Sequence, residues 1–277
     1  ADVVVNANNP DDQTMVLTTT GQVFAAGYNA EGTLGDGTIV NRNVFTREST
    51  FRTNITKIFM GGGRAAMVDI NGNVFLTGSN SDGNLGSNDT TNRSTYFSPT
   101  GTFQTKVDKV FFGGTDLNTS AYTYILDTNG DVWAAGFGTQ GQLGRGVAST
   151  GATFFQKPLR NTDGKKVVDM RVWGYTTASG ALLLLEDGSR TSTGNSYNGN
   201  TSNVSNAGVS SLSFKYVSGF EPGSKASTLA ATVPVSLLSA AAGVNTIDNL
   251  NYTQAWNWST LATTTGFSIA ANNLTTG

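Results

Sequence analysis

Gly72-Asn-Val-Phe-Leu-Thr-Gly78-Ser-Asn-Ser-Asp-Gly83-Asn-Leu-Gly86 is one copy of a phrase that this chain repeats. An earlier copy reads Gly21-Gln-Val-Phe-Ala-Ala-Gly27-Tyr-Asn-Ala-Glu-Gly32-Thr-Leu-Gly35. A later one reads Gly130-Asp-Val-Trp-Ala-Ala-Gly136-Phe-Gly-Thr-Gln-Gly141-Gln-Leu-Gly144, and a degenerate fourth runs Gly188-Ser-Arg-Thr-Ser-Thr-Gly194-Asn-Ser-Tyr-Asn-Gly199. The central glycines Gly27, Gly78, Gly136 and Gly194 recur every 51 to 58 positions. That period suits four-stranded propeller blades.

Working outward, each phrase is preceded by an apolar run: Met15-Val-Leu17, Ala66-Met-Val68, Tyr124-Ile-Leu126 and Leu182 to Leu185. Asn71-Gly72, Asn129-Gly130 and Asp187-Gly188 sit between run and phrase. Such dipeptides supply the positive φ that tight hairpin turns need, so each copy predicts a hairpin. Further upstream stands another short strand: Lys57-Ile-Phe-Met-Gly61, Lys109-Val-Phe-Phe-Gly113, Met170-Arg-Val-Trp-Gly174 and Lys215-Tyr-Val-Ser-Gly219, with Val3-Val-Val5-Asn6-Ala7 before the first hairpin. Trp133, Trp173, Phe59, Phe75, Phe111 and Tyr216 fall at repeat positions and are expected in the core.

These phrases resemble the regulator-of-chromosome-condensation repeat, over about residues 1–219. That family folds as a β-propeller, usually with seven blades. The resemblance therefore implies an all-β chain of propeller-like blades, with four recognisable repeats forming a small closed ring or an open arc. It also implies partner binding through propeller loops.

Composition narrows the chemistry. Among 277 residues there is no His and no Cys, charged residues make up 13%, and the formal net charge is -2. Disulfides, thiol catalysis, Ser-His-Asp triads and His or Cys zinc sites are excluded. No clustered basic face offers itself to phosphates, so nucleic-acid binding is not expected. No apolar stretch approaches the ~20 residues of a membrane-spanning helix, and no membrane insertion is expected.

Several patterns look like sites and read better as turns. Gly136-Phe-Gly138-Thr-Gln-Gly141 matches a dinucleotide fingerprint, but the glycine-rich Gln142-Leu-Gly-Arg-Gly146 follows where a helix is required. Asp69-Ile-Asn71-Gly and Asp127-Thr-Asn129-Gly resemble calcium loops but lack the glycine and glutamate spacing of the helix-flanked type. Carboxylate pairs such as Asp11-Asp12 and Glu186-Asp187 are neighbours in turns. No catalytic residue, metal ligand or cofactor is assigned, and the chain is expected not to be an enzyme. Tyr28, Glu31, Asp82 and Phe137 lie in loops just past the repeat glycines and are the candidate ligand-contact residues.

After Gly219 the repeat stops. Residues 220–243 are rich in Ala, Ser and Leu and read as a linker. Residues 244–277 place Leu-Thr-Thr-Gly phrases around Phe267 and Ile269, and resemble bacteriophage tail-fibre shafts, which wrap three chains about one axis. That resemblance implies a homotrimeric virion or extracellular fibre segment whose propeller contacts a host-surface glycan or another virion protein. The alternative expectation is a soluble or extracellular interaction scaffold or adhesin of the chromosome-condensation-repeat type.

Overall fold

The computed structural model describes residues 1–7, 12–99, 105–114, 120–158, 162, 164–175, 178–195 and 210–217. The chain divides into two units, Ala1–Leu229 and Ala230–Gly277, and every described residue belongs to the first. The expected linker 220–243 and fibre segment 244–277 lie outside the described residues.

The described residues form sixteen strands in four sheets, each an antiparallel meander of four strands in chain order. Blade one holds β1 (Asp2–Asn6), β2 (Gln13–Leu17), β3 (Val23–Gly27) and β4 (Arg42–Arg47). Blade two holds β5 (Ile55–Gly61), β6 (Arg64–Asp69), β7 (Val74–Gly78) and β8 (Arg93–Phe97). Blade three holds β9 (Val107–Gly113), β10 (Tyr122–Asp127), β11 (Val132–Gly138) and β12 (Ser149–Gln156). Blade four holds β13 (Val167–Tyr175), β14 (Ala178–Leu185), β15 (Arg190–Asn195) and β16 (Ser210–Tyr216). The expected hairpins are the two middle strands of each blade. One expectation is corrected: Lys215 does not open a further blade, because Ser210–Tyr216 pairs with β15 as the last strand of blade four.

The hairpin turns close on side chains as well as glycine. Asp69 Oδ1 accepts the backbone N–H of Asn71 at 2.9 Å and of Asn73 at 2.8 Å. Asp127 Oδ1 takes those of Asn129 and Asp131, both at 2.9 Å. These carboxylates are turn builders. The central repeat glycine has a different duty. Gly78 has φ +105, and a Cβ there would overlap the carbonyl oxygen of Gly63 on the neighbouring strand. The fourth phrase, which loses most of the pattern, keeps this glycine as Gly194 with φ +101.

Side chains alternate along each strand between a face toward the preceding blade and a face toward the next. Three apolar clusters result, one for each pair of consecutive blades. Met15, Leu17 and Val23 of blade one meet Ile58, Ala65 and Met67 of blade two. Val68, Val74 and Leu76 of blade two meet Val110, Ile125 and Trp133 of blade three. Tyr124, Leu126 and Val132 of blade three meet Met170, Leu183 and Phe214 of blade four. Among the described residues no cluster joins blade four to blade one.

The fourth strand of each blade adds a device that alternation alone does not reveal. Between Ala25↔Thr46 and Gly27↔Arg42 the register slips, so Asn43, Val44 and Phe45 stand opposite Ala26 alone. The same bulge recurs in blades two, three and four, and its third residue is Tyr96, Phe155 and Phe214 respectively. Each of these rings is almost wholly buried. A Cβ on Gly35 would strike the Tyr96 ring, one on Gly86 the Phe155 ring, and one on Gly144 the Phe214 ring. The last glycine of each of the first three phrases is therefore the seat for an aromatic ring of the following blade. β-bulges commonly re-aim a side chain in this way.

Candidate interaction surface

Loops between the third and fourth strands carry Tyr28, Glu31 and Asp82, whereas Phe137, expected in such a loop, lies within β11 instead, because that strand runs on past the repeat glycine to Gly138. Buried Asn29 organises the first loop. Its Oδ1 accepts the Leu34 N–H at 2.9 Å, its Nδ2 donates to the Thr38 and Val40 carbonyls at 3.0 and 3.2 Å, and its own N–H donates to Asn41 Oδ1 at 2.8 Å. Asn80 repeats the pattern in blade two, through Leu85, Asp89, Thr91 and Asn92. Salt bridges finish both loops, Asp36 with Arg42 at 2.5 Å and Asp89 with Arg93. The Asp89 carboxyl is held down to about 2, first by the Thr91 N–H, then by the Ser87 hydroxyl and the Arg93 guanidinium.

The four candidate residues are half-buried. Tyr28 and Glu31 share the blade-one loop, where the Tyr28 carbonyl accepts from Gln13 Nε2 at 3.0 Å. Asp82 and Phe137 meet at one residue: Asp82 Oδ2 accepts the Ala121 N–H at 2.8 Å, and the Phe137 N–H donates to the Ala121 carbonyl at 2.8 Å. Burial raises the Asp82 carboxyl above its ordinary value. Gln140, at the same repeat position as Asp82, accepts the Ser179 hydroxyl of the next blade at 2.9 Å. The position of Asp82 and Gln140 thus ties one blade to its successor. Among the described residues no group of three carboxylates collects to hold a metal ion, and no helix follows Gly141 to receive a pyrophosphate.

A surface that alternation does not single out lies along the last strand of blade one and its flanks. Ile39, Val40, Val44, Phe45 and Phe51 are all exposed. Arg47 lies 5.2 Å from the Phe51 ring centroid and donates to the Phe51 carbonyl at 2.9 Å. Exposed aliphatic and aromatic side chains beside arginine are the usual makings of a protein-binding patch. The adjacent pairs Ile39-Val40 and Val44-Phe45 were the available signal; neither fits a strand with one face in water.

No protein-family model matches the chain. Human WBSCR16 matches in structure with a TM-score of 0.61 at 18% identity, over 78% of this chain and 52% of that one. Prp20p from Saccharomyces cerevisiae matches at 0.58 and 14% identity, over 74% and 48%. These blades are RCC1-like propeller blades. In sequence, the X-linked retinitis pigmentosa GTPase regulators of dog and mouse are each 36% identical over 83 residues, which is 29% of this chain and 8% of theirs. The chain thus spans about half the length of the solved propellers and a small part of those regulators. Prp20p is described as binding Gsp1p and histones, and yeast RCC1 has been solved bound to Kap60.

Proposed function

We propose that the chain is a non-catalytic protein-interaction scaffold built on RCC1-like blades, the alternative raised by the sequence. The observation that carries this reading is the exposed apolar strip of Ile39, Val40, Val44 and Phe51 beside Arg47. Two further features support it. The candidate Asp82 ties blade two to the backbone of Ala121 in blade three, and the structural neighbours include a propeller described as binding proteins. The virion-fibre reading, with its trimer, its host-surface glycan and its virion location, rests on the shaft-like residues 244–277 together with the polar, low-charge composition and the lack of catalytic residues, and the relatives named above lend it no support.

The test places a photo-crosslinking residue at Val40 or, as a control, at exposed Thr90, and compares capture by the unaltered chain with capture by an Ile39→Asp, Val44→Asp variant. A scaffold gives a discrete crosslinked protein at Val40 that disappears in the variant while its melting curve is unchanged. Equal capture at Val40 and Thr90 would count against this surface.

A further inference from the structure

We propose that Phe51 and Arg47 form a recognition pair for an acidic segment of a partner protein. An apolar side chain of that segment packs on the Phe51 ring, and a neighbouring carboxylate meets the Arg47 guanidinium. Resting on the scaffold reading, the pair adds to it the anchoring side chain and the chemistry that a partner brings.

The backbone of Phe51 gives the first observation. Its φ is +54, in the left-handed region, where a bulky side chain is an outlier. The other non-glycine residues of positive φ among the described ones are Asn88 and Ser120, both small and polar. Strain of this kind persists only where the surroundings hold it, and it gathers at ligand-contacting sites. Here a built turn holds it. The buried Glu48 carboxylate accepts the Thr50 N–H at 2.7 Å and the Arg52 N–H at 2.5 Å. The Phe51 N–H donates to the Glu48 carbonyl at 3.3 Å, and Arg47 Nη2 donates to the Phe51 and Arg52 carbonyls at 2.9 and 3.1 Å.

All this hardware presents a ring that is 64% exposed. Among the described residues Phe51 joins none of the three clusters between blades. Nor does the repeat demand the turn. Thr46, Phe97 and Gln156 share one register position, opposite Ala25, Leu76 and Ala134. After it the chain reads Ser98-Pro99 in blade two and Lys157-Pro158 in blade three, but Arg47-Glu48 in blade one. A proline at the Glu48 position brings no carboxylate around which such a turn could close.

Charge gives the second observation, independent of the backbone. From Arg42 to Arg52 the sequence holds three arginines and one carboxylate. Arg42 pairs with Asp36, and Arg52 lies 3.9 Å from Glu48. Arg47 has no ion pair among the described residues. The Glu48 side chain is 0% exposed, so the surface beside Phe51 shows guanidinium groups and no carboxylate. In a chain of net charge -2, this is a local cationic spot that an acidic partner complements and a basic one does not. The Arg47 guanidinium stands 5.2 Å from the Phe51 ring centroid, so one short segment reaches both. Arginine and aromatic anchors of this kind dominate the energetics of protein interfaces.

The experiment pans a phage-displayed library of random peptides against the unaltered chain and against a Phe51→Gly chain. Glycine takes positive φ freely, so the variant removes the ring without straining the turn, and it is expected to melt no lower than the unaltered chain. A lower melt means that the ring packs within the molecule, and the proposal fails. Peptides kept by the unaltered chain and lost on Phe51→Gly are expected to place Asp or Glu beside a large apolar residue. A synthetic peptide of that kind is expected to bind the variant about tenfold more weakly or worse. Changing its carboxylate to the amide is expected to weaken it as well. Discriminating peptides without an acidic residue overturn the proposal, as does the recovery of no peptide that tells the two chains apart. A dimer of the unaltered chain that dissolves on Phe51→Gly also overturns it, because the occupant is then a second copy. Equal capture at Val40 and Thr90 is the separate failure of the scaffold reading. Capture at Val40 that persists in the Phe51→Gly chain keeps that reading and rejects this one.

Discussion

The side chain of Arg64 in blade two donates to the backbone carbonyl of Tyr122 in blade three, at 3.0 Å. It also reaches the Gly113 carbonyl at 3.1 Å. Tyr122 stands at the same register position one blade on, and its hydroxyl reaches the equivalent carbonyls of blade four, those of Gly180, at 2.8 Å, and Trp173. Burial pushes the Tyr122 phenol well above its ordinary value, so its proton stays available for donation. Two chemically unlike side chains thus make one inter-blade latch. At Gly180 the series has no side chain and stops.

Removing either latch exposes its role. Tyr122→Phe leaves buried groups at Gly180 and Trp173 without their partner and is expected to destabilise by about 1–3 kcal/mol. Arg64→Met removes charged hydrogen bonds of about 1.5–3 kcal/mol. Native-state hydrogen exchange decides where the loss falls: Tyr122→Phe is expected to speed exchange in blades three and four, and Arg64→Met in blades two and three. Uniform acceleration across all blades would contradict a local latch.

Acid sensitivity follows from the loop carboxylates. Asp89 and Asp187 are both held down to about 2, Asp89 chiefly by the Thr91 N–H and Asp187 chiefly by the Ser189 hydroxyl. Their folded values lie below the ordinary value of 3.8. Each therefore favours the fold above about pH 4, and that contribution is lost as pH falls from about 4 to 2. Asp82 has the opposite sign, because burial raises it, and its effect is a loss of stability as pH rises just above 3.8. Melting temperature against pH is expected to fall less steeply below pH 4 in an Asp89→Asn, Asp187→Asn variant. Asp82→Asn is expected to leave that acid limb in place.

Gly78→Ala tests the reason for the central glycine. The substitution imposes a strained positive φ worth about 1–3 kcal/mol, and the methyl also meets the Gly63 carbonyl. A lowered urea midpoint is expected. Gly164→Ala serves as the comparison: it shares a positive φ, but nothing lies within 4 Å of the new Cβ, so its loss is expected to be smaller.

Asn80→Ala removes the acceptor for the Leu85 N–H and the donors to Asp89 and Thr91. The expected result is faster amide exchange at Leu85, with the β spectrum retained. Protection at Leu85 equal to that of the unaltered chain would show that Asn80 does not organise its loop.

The repeating phrase made the hairpins legible because Asn-Gly turns and the valine-aromatic strands are local signals. The fourth strands were not, since Arg42–Arg47 and Arg93–Phe97 carry no period-two apolar pattern across their bulges. The placement of Lys215 went astray for a related reason: its phrase imitates a first strand, whereas Phe214 beside it occupies the bulge position and fills the cluster between blades three and four. Asp82 was legible as a loop residue, whereas Phe137 was not legible as a residue of β11, because its strand continues through the repeat glycine that ends β3 and β7. Their meeting at Ala121 was not legible either, because it joins residues on two blades far apart in sequence.

The latch gives the series of blades a direction in time as well as in space. Besides the nearby Gly62 carbonyl, Arg64 donates to those of Gly113 and Tyr122, the farther of them 58 residues downstream. A ribosome that has released blade two has therefore made a guanidinium whose buried place does not yet exist. That charge must stay hydrated until blade three emerges. Blade two reaches its final interior only with its successor in place, so its folding is completed by residues made after it.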